Sequence, residues 1–190
     1  MTRGNSRRQT RKHKSARKRD STSLVDLEEP PDWLTGQERD SVSGNEGREI
    51  RMMAYLKTVK TETRGETCNC NLHSITNIDL HLVMVDHKTD LEADSVTAEI
   101  TPRVRKQSHP TWSATKIGGY TGKFVRITGW LMLDTAHVHH SHQANYDPAD
   151  HAGTPLNRAT NWEMHPVTKF EVCTSTVKKC KAATGWKDVP

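Results

Sequence analysis

Alternation of apolar and polar residues with a period of two constrains this chain more than any other feature. In IDLHLVMV, residues 78–85, Ile78, Leu80, Leu82 and Met84 alternate with Asp79, His81 and Val83. Successive side chains of an extended strand point to opposite faces, so one face is apolar and the other presents Asp79 and His81. SVTAEIT (95–101) repeats the design, with Val96, Ala98 and Ile100 against Thr97, Glu99 and Thr101, and Pro102 ends the ladder. IRMMAYLKTVK (50–60) precedes these as a first, long strand. KFVRITGWLMLD (123–134) follows, with Gly129 where a strand must bend. NWEMHPVTKFEV (161–172) alternates Trp162 and Met164 against Glu163 and His165 until Pro166 demands a bulge or an edge.

SHPTWSATKIGGY (108–120) has room for one or two helical turns before Gly118-Gly119. The order is therefore three strands, a short helix and two strands, with no internal repeat. That order predicts an all-β, five-stranded OB-like Greek-key barrel with a helix between strands 3 and 4. A plain antiparallel sandwich is the competing arrangement. Residues 1–20 read as a basic disordered arm, 21–48 as a Pro/Gly-bearing linker, 49–175 as the barrel and 176–190 as a C-terminal extension.

Charge divides along the same boundaries. The 190-residue chain carries 28 Lys/Arg and 23 Asp/Glu. Arg3, Arg7, Arg8, Arg11, Lys12, Lys14, Arg17, Lys18 and Arg19 stand in the first 20 residues, against Asp20 alone. The remainder holds 19 basic and 22 acidic residues and is mildly acidic. A like-charged run with little apolar surface cannot offset its conformational entropy and binds polyanions by releasing their counterions. Nucleic acid is the expected partner of the arm, with Arg158 a further phosphate contact. No apolar run approaches the roughly 18 residues of a membrane span, and none follows the basic N-terminus as a signal peptide requires. A cytoplasmic, reducing location is the resulting expectation, and it disfavours structural disulfides.

The text ETCNC, IDLHLVMV, AEITPRVR, VRITGWLMLD and RATNWEMHPVTKFEV, across roughly residues 49–173, resembles a group of uncharacterised bacterial OB-fold-like proteins. The most specific part of the resemblance is R-x-T-x-W-E-x-H-P, Arg158 to Pro166. It implies one compact barrel and carries no activity with it.

Chemistry concentrates in two long loops and on the strands' polar faces. The loop 61–77 contains Cys68 and Cys70. The loop from Asp134 to Thr160 contains His137, His139, His140, His142 and His151 with Asp147 and Asp150. Imidazole and carboxylate suit a divalent metal ion, but no HExxH or CxxC spacing is present. Cys68 and Cys70 are read as loop thiols, a redox pair or half of a zinc site. Cys173 and Cys180 follow strand 5 and are expected near the opposite end of the barrel, so a closed Cys₄ site is disfavoured.

Carboxylate-x-His occurs on two strands, as Asp79/His81 and Glu163/His165, and Glu99 shares the polar side of its own strand. If those faces adjoin, they form a candidate acid–base or metal cluster beside Asp134 and His137, with Asp134, His137, His81 and His165 the candidate ligands. The alternative is that they are solvated outer faces of antiparallel strands. For base stacking the candidates are Trp130, Trp162, Phe124 and Tyr120, and for a phosphate track Lys123, Arg126, Arg103 and Arg105. Three functions follow: a non-enzymatic nucleic-acid-associated OB-fold protein, which is the first reading, a metal-dependent hydrolase of phosphodiesters or esters, and a structural component of a nucleic-acid-containing assembly.

Overall fold

The computed structural model describes residues 44–61, 70, 72–134, 158–160 and 162–190. The first strand, β1 (Glu49–Thr61), is long enough to serve two neighbours. Its first half pairs antiparallel with β4 (Phe124–Leu133), from Glu49↔Trp130 to Tyr55↔Phe124. Its second half pairs antiparallel with β2 (Leu80–Val85), from Tyr55↔Val85 to Thr61↔Leu80, and the register shifts between Leu56 and Thr58. A register shift adds local twist, which lets one strand turn the corner between two walls.

β2 pairs with β3 (Val96–Ile100), and β4 pairs with β5 (Trp162–Cys173). β3 and β5 then meet in parallel at Ala98↔Met164 and close the sheet. The closed order β1-β2-β3-β5-β4 is the OB-like barrel expected from the strand order. Its core is the predicted apolar alternation. Met52, Ala54 and Leu56 meet Leu80, Leu82 and Met84, Val96, Ala98 and Ile100, Val125, Ile127 and Leu131, and Trp162, Met164 and Phe170.

Three features differ from expectation. The connection between β3 and β4 holds two short helices, α1 (Pro102–Gln107) and α2 (Ala114–Gly118), and residues 108–113 run between them. Pro102 ends the strand by starting a helix. Thr101 caps it, its hydroxyl accepting from Val104 N at 3.2 Å, and proline sits where no helical N–H is needed. Residues 176–190 are part of the packed unit. They form α3 (Val177–Lys181) and β6 (Trp186–Asp188), and β6 adds to the sheet beside β5. Val189 is buried in the core, and its carbonyl accepts from Trp112 Nε1 at 2.9 Å. Finally, Cys173 and Cys180 form a disulfide across the β5–α3 connection, contrary to the expectation drawn from a reducing location.

Gly129 stands at an inward-facing position of β4 where the β4–β5 register shifts on both sides of it. A Cβ there would lie 2.5 Å from the Pro166 carbonyl oxygen and 2.7 Å from Met164 Cγ. The absent side chain therefore lets β5 approach β4 closely at the cis His165–Pro166 bond. Gly129→Ala forces this backbone contact apart. By analogy with overpacked cores it is expected to lower the unfolding free energy by about 1–3 kcal/mol, read by urea denaturation. A loss below about 0.5 kcal/mol would show that β5 can yield.

At the far end of β5 from His165, Glu171 is buried and receives both Arg126 Nε at 2.7 Å and Nη2 at 2.6 Å. Burial opposes its ionised form, but Arg126 and Lys169 outweigh that and hold its carboxyl below the usual range. Arg126 is thus committed within the sheet.

Candidate metal centre

With Leu80, Leu82, Ala98, Ile100, Trp162 and Met164 facing the core, the alternate residues of β2, β3 and β5 lie on the outside of the barrel wall. Pairing sets which of them meet. His81 is opposite Glu99 in the β2–β3 ladder, and the parallel contact at Ala98↔Met164 brings Glu99 and His165, the next residue of each strand, to the same place. Asp79, one residue before β2, lies on the same side as His81.

The side chains make one connected cluster. His165 Nδ1 is 3.3 Å from Glu163 Oε1 and 3.4 Å from Glu99 Oε2, and its Nε2 is 3.8 Å from Asp79 Oδ2. His81 Nε2 is 3.5 Å from Glu99 Oε1. Asp79, Glu99 and Glu163 are buried, and His165 is only 18% exposed. Asp79, Glu99 and His165 each offer a ligating atom, and the three atoms lie within 4.8 Å of one another. That spacing allows a single ion to contact all three.

Further groups hold this set in place. Arg158, 5% exposed, donates from Nη2 to Asp134 Oδ2 at 2.7 Å and from Nη1 to Glu163 Oε2 at 3.5 Å. The chain Asp134–Arg158–Glu163–His165 orients the imidazole from behind. Arg105, on the inward face of α1, donates to the carbonyls of Ile75 (3.2 Å) and Ile78. It pins the segment that leads into Asp79. Burial draws the Arg105 pKa below its ordinary value, and the negative charge of Asp79 works against that shift.

Four carboxylates, Asp79, Glu99, Glu163 and Asp134, share this region with two guanidinium groups, Arg105 and Arg158, and with the imidazoles of His81 and His165.

The cluster opens on one side to a cleft of about 570 Å³. Asp79 and His165 line it with Cys70, Leu72 and Asn77 of the preceding loop, and with residues of α1.

Both carboxylate–histidine pairs singled out from the sequence share this place: Asp79, His81, Glu163 and His165 are brought together. Asp134 joins them through Arg158. Arg158, expected as a phosphate contact, is buried, and two carboxylates engage its guanidinium. Of the stacking candidates, Phe124 and Trp162 are buried, Tyr120 is half-buried and Trp130 is exposed. Arg105 and Arg126 serve the fold rather than a phosphate track, whereas Arg103 and Lys123 are exposed. Glu99, which the sequence placed in the same candidate cluster but not among the named ligands, is the carboxylate both histidines approach; the cross-strand register was the missing signal. His137, the other loop histidines, Cys68, and the basic residues Arg3, Arg7, Arg8, Arg11, Lys12, Lys14, Arg17, Lys18 and Arg19 lie outside the described residues. Cys70 is an exposed free thiol at the cleft, and the disulfide takes Cys173 and Cys180, so no four-cysteine site forms.

Fold and site together define an all-β OB-like barrel with a His/carboxylate cluster on the outer wall of its β3–β5 seam. Comparisons with protein-family models, curated proteins and solved structures give no match. Among the described residues, no helix is long and apolar enough to cross a membrane.

Proposed function

We propose that the barrel binds one divalent metal ion through Asp79, Glu99 and His165 and uses it as a metal-dependent hydrolase. The observation that carries the reading is the convergence of two carboxylates and one imidazole within 4.8 Å beside an open cleft. A mixed oxygen and nitrogen set suits manganese, iron or zinc better than a thiolate-selecting ion. Glu163 sits where an outer partner of a ligating histidine belongs, fixing the tautomer and the ring orientation. A bound ion lowers the pKa of a coordinated water and polarises the substrate oxygen. His81, beside Glu99 and 17% exposed, is a further group able to hold a proton.

The test is hydrolysis by protein stripped with chelator and then reloaded. Activity on a phosphate or carboxylic ester should fall on stripping and return with about one equivalent of Mn²⁺ or Zn²⁺, and His165→Ala should abolish the return. Activity indifferent to chelator would contradict the reading.

The density of positive charge in residues 1–20 favours a second reading, in which the arm binds nucleic acid. Deleting residues 1–20 should weaken binding to a single-stranded oligonucleotide and flatten its salt dependence, since the slope of log K against log salt scales with about 0.7 per neutralised phosphate. Unchanged affinity and slope would remove the arm from the account.

A further inference from the structure

The cleft that Asp79 and His165 line is also lined by Arg103 and Lys106 of α1. The three cations of this helix are put to different uses. Arg105 is buried and bound to backbone carbonyls, whereas Arg103 and Lys106, three residues apart and on a common helix face, are exposed. Their side-chain contacts are with neutral amides: Lys106 Nζ donates to Asn77 Oδ1 at 2.6 Å, and Arg103 Nε donates to Gln107 Oε1 at 3.5 Å. Among the described residues neither makes an ion pair. Two positive charges with no ion pair among the described residues thus stand in the same cleft as the His/carboxylate cluster.

We infer that the cleft takes a phosphate ester, its phosphoryl oxygens shared between the bound metal ion and the Arg103 and Lys106 side chains. This rests on the metal-site reading and goes beyond it by choosing between substrates. A carboxylic ester is neutral and gains nothing from two added cations. A phosphate mono- or diester carries at least one negative charge at neutral pH, and guanidinium and ammonium groups are its usual partners. Hydrolysis balances without another reactant: a water oxygen forms one bond to phosphorus, the bond from phosphorus to the ester oxygen breaks, and the water proton passes to the departing alcohol.

The test uses calorimetric titration of inorganic phosphate into the full-length protein loaded with Mn²⁺. Phosphate should bind only in the presence of Mn²⁺, and Arg103→Ala and Lys106→Ala should each weaken it about 10-fold or more. Competition by p-nitrophenyl phosphate assigns the cleft to monoesters and competition by bis(p-nitrophenyl) phosphate assigns it to diesters; either upholds the inference. Displacement by p-nitrophenyl acetate alone overturns it. So does Mn²⁺-loaded protein that ignores phosphate, or that binds it equally well with both cations removed, and in those cases the metal site itself still stands. Failure to bind Mn²⁺ overturns both.

Discussion

Replacing Arg158 by methionine is expected to cost about 3–5 kcal/mol of folding stability, the usual loss when one partner of a buried ion pair is removed. The reason is what the substitution leaves behind. Asp134 and Glu163, 13% and 7% exposed at their side chains, both lean on this one guanidinium. Methionine fills much of the volume but removes the cation that both carboxylates contact. Urea denaturation of the variant reads the loss directly. Adding Asp134→Asn and Glu163→Gln to Arg158→Met should recover a large part of it, because the uncompensated charge is then gone. A loss below about 1 kcal/mol for Arg158→Met alone would mean that water reaches these carboxylates.

Divalent metal is expected to stabilise the wild-type protein by about 2.7 kcal/mol at a free concentration 100 times Kd, because an ion that binds only the folded state shifts the equilibrium by mass action. Glu99→Gln should abolish most of that response. The carboxylate lies between both histidines, 3.5 Å from His81 and 3.4 Å from His165, so its charge matters more than its shape. Any change the same substitution makes in the metal-free state belongs to the fold and not to the ion. A melting series with and without Mn²⁺ separates the two effects. Equal stabilisation of wild type and Glu99→Gln would place the ion elsewhere.

Much of this barrel is legible in the sequence because the core follows the alternation of side chains. Leu80/Leu82/Met84 and Val96/Ala98/Ile100 face inward as period two dictates, and the same rule turns Asp79, His81, Glu99, Glu163 and His165 outward. Alternation says which side a residue takes but not which strand lies beside it. The parallel β3–β5 contact that gathers Glu99 and His165 is a long-range pairing with no local signature. Arg158 was misplaced for a related reason. A loop arginine reads as a phosphate ligand until Asp134 and Glu163 are seen to bracket it. The C-terminal segment was read as an extension because β6 is three residues long and the segment is held by partners distant in sequence, such as Trp112 with Val189.

The central claim is that Asp79, Glu99 and His165 hold one divalent ion, and calorimetric titration of chelator-stripped full-length protein with Mn²⁺ tests it most directly. The account predicts saturation at about one ion per chain for wild type, with affinity reduced at least 100-fold in Asp79→Asn and His165→Ala, variants that should remain folded by circular dichroism. Titration of wild type with no saturable uptake, or uptake that survives both substitutions unchanged, would contradict it.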